Sequence, residues 1–196
     1  MSKSIFIRLS GWLFIIGAIA FLPASIMQFD YGSRTISPFM TNTFFWAPLL
    51  LVVGLLGLRA RYKIGGGVLL FGAIVGGLSL IIGGTMQYQP TYSVGVTYFG
   101  VWAAGVLVLH LCLFIFGIVM VIKKPLPRWN WIPLAAGMWI PLAVLLGVIL
   151  GESTTSSPSS NIGNNVVIAI FVMMTVAQVI LGFMLQANAS RETEAS

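Results

Sequence analysis

Six long apolar stretches, separated by short polar or basic turns, constrain this chain more than any other feature. They run over 11–27, 44–58, 65–86, 98–122, 131–150 and 165–185. About 20 apolar residues is the length a helix needs to cross the hydrocarbon core of a bilayer. None of the stretches alternates as a barrel strand must, and open sheet edges are excluded from lipid. Composition agrees, with 58% hydrophobic and 7% charged residues and a mean hydropathy of +1.01. A soluble domain carries about 25% charged residues to clothe its surface. The sequence therefore predicts an all-α polytopic membrane bundle, one six-helix domain over 1–196, whose first partner is the lipid bilayer itself.

The net charge of +6 records topology rather than affinity for nucleic acid, and no nucleic-acid partner is expected. Lys3, Arg8, Arg59, Arg61, Lys63, Lys123, Lys124, Arg128 and Arg191 all fall on one side of a six-span chain, and only Arg34 falls on the other. By the positive-inside rule the basic side is cytoplasmic, so both termini are expected inside, in the inner (cytoplasmic) membrane. Ala18-Ile19-Ala20 has the form of a signal-peptide cleavage site, but the apolar run continues to Met27 and reads as an uncleaved span. Trp12, Tyr62, Trp129 and Trp131 are placed for an inner aromatic belt; Trp46, Tyr88, Tyr92, Tyr98 and Trp102 are placed for an outer one.

Four prolines bear on helix shape. Pro48 and Pro133 read as first-turn residues of the second and fifth spans, where a missing N–H costs little. Their corresponding places would also suit an inverted three-plus-three repeat. Pro23 and Pro141 lie deeper and are expected to kink their helices. The loops at 87–97 and 151–164 read as connections.

The third span carries Gly65, Gly72, Gly76, Ser79 and Gly83, spaced 7, 4, 3 and 4. Those steps keep all five on one helical face, and small residues let two backbones approach closely. The expected use is packing within the bundle; a homodimer or a protein partner docked through helix 3 is the competing use.

Chemistry is sparse. The four acidic residues, Asp30, Glu152, Glu192 and Glu194, lie outside the spans, which removes intramembrane proton relays, paired catalytic carboxylates and acidic metal ligands. The segment GGGVLL at 65–70 lacks the lysine of a phosphate-binding loop. The only histidine, His110, and the only cysteine, Cys112, share the run VLVLHLCLF. Two positions apart on a helix, their side chains point about 200° from each other and cannot grip one metal ion. One cysteine also forbids an internal disulfide. Ser79 sits in GGLSL, without the Gly-x-Ser-Gly motif of rhomboid proteases. No catalytic residue, metal or cofactor is expected.

Three groups at mid-depth remain: His110, Gln178 and Trp139. The imidazole is expected to face inward and hydrogen-bond Gln178, because an unpaired polar group in lipid is costly. A small ligand held by His110, Gln178 and Trp139 is the competing use. In architecture alone the chain is similar to the substrate-binding subunits of energy-coupling-factor transporters, with which it shares no motif. The expected role is that of a non-enzymatic accessory or interaction subunit, with a carrier for a weakly charged or lipophilic compound as the alternative.

Overall fold

A computed structural model describes residues 2–30, 38–86, 92–125, 129–151 and 161–194. The helices are α1 (Lys3–Asp30), α2 (Pro38–Arg61), α3 (Gly66–Phe71, a π-turn over Gly72–Gly76, then Gly77–Met86), α4 (Tyr92–Lys123), α5 (Ile132–Gly151) and α6 (Asn161–Glu194). There is no strand among the described residues. Five helices are long and apolar enough to cross a membrane; in α5 the apolar stretch with described side chains is the shorter Ile132–Leu142. This is a membrane-spanning helical bundle.

Order in space follows order in the chain. Each helix packs on its sequence neighbours, and α1 closes a ring by packing on α6. Across the ring α2 touches both α4 and α6, so side chains fill the centre. Phe14, Leu55, Leu69, Leu80, Phe116, Met120 and Met174 are all buried there. Outward, the helices carry exposed apolar stripes at helical spacing, such as Ile5, Leu9, Trp12, Ile16 and Ile19 on α1. Water would penalise such stripes and a bilayer solvates them.

Ring closure has a direct test. Trp12 on α1 and Phe183 on α6 line one surface cleft and are both about half exposed. In a Cys112→Ala background, cysteines replacing Trp12 and Phe183 should be joined by a short bifunctional maleimide. The chain would then stay one band after cleavage at a protease site inserted between residues 152 and 160. Two bands would mean that α1 and α6 are not neighbours.

Two expectations about sequence features need correction. The second span is not the short 44–58 segment, because α2 begins at Pro38 and has 24 residues. Pro48 consequently lies well inside the helix instead of in its first turn. Proline offers no N–H to the carbonyl four residues back, here Phe44. The Trp102 indole enters the same turn and donates to the Phe45 carbonyl at 3.0 Å. Pro133 does fall in the first turn of α5, while α1 and α5 continue as helices through Pro23 and Pro141.

Trp102 is the second correction. It is 3% exposed, not a belt residue. Its ring lies 4.5 Å from Phe44 and 5.2 Å from Phe45, centroid to centroid, with Phe21 and Phe99 alongside. Trp12, Trp129 and Trp131, at the basic end, are each about half exposed, as a belt requires. Two buried hydroxyls are satisfied within their own helix: Ser10 donates to the Ile7 carbonyl and Ser25 to that of Phe21.

Candidate functional site: a buried histidine–glutamine pair

The glycine seam of α3 is used inside the chain, against α4. A Cβ on Gly72 would meet Cys112 Cβ at 2.7 Å, and one on Gly76 would meet Leu109 at the same distance. Ser79 faces Gly105, and Gly83 lies directly against the backbone of Trp102. Gly65 differs from the other four. It precedes the helix, with a φ of 69° that a side chain would strain, and it faces Phe116. The seam thus presses α4 close to α3 and fixes how α4 is turned. A second row was not legible as a motif: Gly66, Gly77 and Gly84 face Arg59, Val52 and Trp46 of α2.

That rotation of α4 places its two singular residues. Cys112 packs on Gly72 of α3 and is buried. His110 points instead to the middle of the ring, where it is 2% exposed. Its Nδ1 lies 2.8 Å from the Val106 carbonyl one turn back. A carbonyl only accepts, so Nδ1 carries the proton and donates. On the other side the Gln178 amide nitrogen, from α6, lies 2.9 Å from His110 Nε2. An amide nitrogen only donates, so Nε2 presents its lone pair. Tautomer and amide orientation define each other, and both ring nitrogens are satisfied without a charge.

The surroundings leave little room. Phe14, Leu51, Leu55, Leu109 and Leu113 enclose the pair around a cavity of about 10 Å³. A single water needs about 10–15 Å³ on this measure. A site for a small organic ligand occupies about 300–1,000 Å³. The centre of the ring is therefore a packed core containing one polar couple.

Of the three residues expected together, His110 and Gln178 meet, and Trp139 does not line the cavity around them. The Trp139 indole nitrogen is buried without a partner among the described residues, as are Thr175 Oγ1 and Gln178 Oε1. Thr175 went unread in the sequence; it lies one turn from Gln178 on α6, and a lone threonine in an apolar run gives no signal. Among the described residues no three of His, Cys, Asp and Glu gather as a metal site would require.

Fold and site together define a polytopic helical membrane protein with a neutral polar couple sealed at its centre. No family model, curated protein or solved structure matches the chain.

Proposed function

We propose that this chain is a non-enzymatic accessory or interaction subunit of the cytoplasmic membrane, crossing it six times with both termini inside. The observation that carries the reading is the closed centre. Gln178 donates to His110, both nitrogens of the imidazole are satisfied, and the space beside the pair holds no more than a water. With the α3 seam committed to α4, the outer apolar wall is the surface that the described residues leave for contacts. The charge asymmetry supports the orientation, since nine of ten basic residues share one side.

A carrier for a weakly charged compound is the second reading, favoured by the unpartnered Gln178 Oε1, Thr175 Oγ1 and Trp139 Nε1. Native mass spectrometry of gently solubilised wild type and His110→Leu separates the two. A subunit should bring the same partner protein in both forms and no His110-dependent small molecule. A small molecule held by wild type and lost from His110→Leu would overturn the subunit reading in favour of the carrier.

A further inference from the structure

A groove of about 570 Å³ opens at the basic end of the bundle, away from the His110 pair. Phe6 of α1, Leu56, Arg59 and Ala60 at the end of α2, Lys63 in the turn, and Gly66 and Gly67 at the start of α3 line it. Arg59 and Lys63 are both exposed. Among the described residues no acidic side chain lines the groove. The two sides differ chemically: Phe6, Leu56 and Ala60 are apolar and half-buried, while the cations stand at the end of the helix. The missing side chain of Gly66 gives Arg59 its place, because a Cβ there would lie 3.3 Å from Arg59 Cγ. Gly67 has nothing within 4 Å of such a Cβ, so the floor of the groove is open.

We propose that this groove binds one anionic phospholipid, its headgroup phosphate on Arg59 and Lys63 and the first part of an acyl chain along Leu56, Ala60 and Phe6. The inference rests on the reading that the basic end faces the cytoplasmic leaflet. A lipid fits better than a soluble phosphate because half of the lining is apolar and stands beside the cations at the end of a membrane helix. Basic side chains at a bilayer surface attract anionic lipid one by one. Here two of them share a cleft with an apolar wall.

The test is native mass spectrometry of the full chain in detergent, titrated with phosphatidylglycerol, phosphatidylcholine or inorganic phosphate. Phosphatidylglycerol should bind more tightly than phosphatidylcholine, and millimolar phosphate should not displace it. Arg59→Gln with Lys63→Gln should weaken phosphatidylglycerol about 30-fold, from about 1 kcal/mol per basic residue at 1.4 kcal/mol per tenfold. Gly67→Leu keeps both charges, is compatible with a helix and fills the groove, so it should weaken both lipids. Equal retention of the two lipids, displacement by phosphate, or unchanged binding in Gly67→Leu would each overturn the proposal. Because the readout is lipid binding alone, failure here leaves the subunit reading to be judged by its own partner and ligand test.

Discussion

Gly117→Leu should lower the unfolding temperature in detergent by roughly 10 °C or prevent the folded protein from accumulating. A Cβ at Gly117 would run into the backbone nitrogen and Cα of Leu134 on α5, and one at Gly137 would run into the backbone of Phe114 on α4. The two helices therefore meet backbone to backbone at two reciprocal points. A flexible side chain can move out of the way of a new methyl, but a helix backbone can do so only by shifting the helix. Overpacking of this kind costs about 1–3 kcal/mol and at times more. One kcal/mol is worth about 2–4 °C in a domain of this size. Even Gly117→Ala should destabilise, although alanine is the better helix former by about 0.8–1.0 kcal/mol. Gly100 supplies the control on the same helix, since it is exposed and has nothing within 4 Å. Gly100→Ala should leave stability unchanged or slightly raised. If Gly100→Ala and Gly117→Ala behave alike, α4 and α5 are not in contact where the structure puts them.

The same glycines show what a sequence of this kind reveals. Helix number and position were legible, because an apolar run of about 20 residues has few alternatives in a bilayer. Helix ends were less so: Pro38 to Thr43 precede the continuous apolar run that marks α2, and Phe39 and Met40, followed by Thr-Asn-Thr, are too short an apolar pair to announce that the segment is already helical. The seam at Gly72, Gly76, Ser79 and Gly83 was legible through its spacing. Its partner helix was not, because that depends on how the chain closes into a ring. Gly117 and Gly137 give no spacing signal, since among the described residues each is the one glycine that its helix brings to that crossing. Trp102 shows the opposite failure. Its position suits an interface belt, but Gly83 leaves it a seat and the Phe45 carbonyl accepts its indole N–H, both supplied by other helices. The meeting of His110 with Gln178 could be expected from cost alone, because few other polar groups lie at that depth. How little space surrounds them could not, since it is set by Phe14 and four leucines from three helices.

The central claim is that His110 and Gln178 form a structural couple in a sealed core, and the pair has an energetic signature. His110→Leu leaves the Gln178 amide buried with no partner, and Gln178→Leu leaves His110 Nε2 without its donor. Stranding a buried polar group costs about 1–3 kcal/mol, whereas replacing both partners by apolar groups of similar shape is nearly neutral. Side-chain hydrogen bonds within membranes average about 0.6 kcal/mol and reach about 1.7, so the cost of each single substitution comes mainly from the stranded group. The measurement is a double-mutant cycle on thermal unfolding in one detergent, with His110→Leu, Gln178→Leu and the two combined. Each single variant should unfold several degrees below wild type, and the double variant should recover most of that loss. Two losses that simply add, or a His110→Leu variant as stable as wild type, would contradict the claim that these residues hold each other at the centre of the bundle.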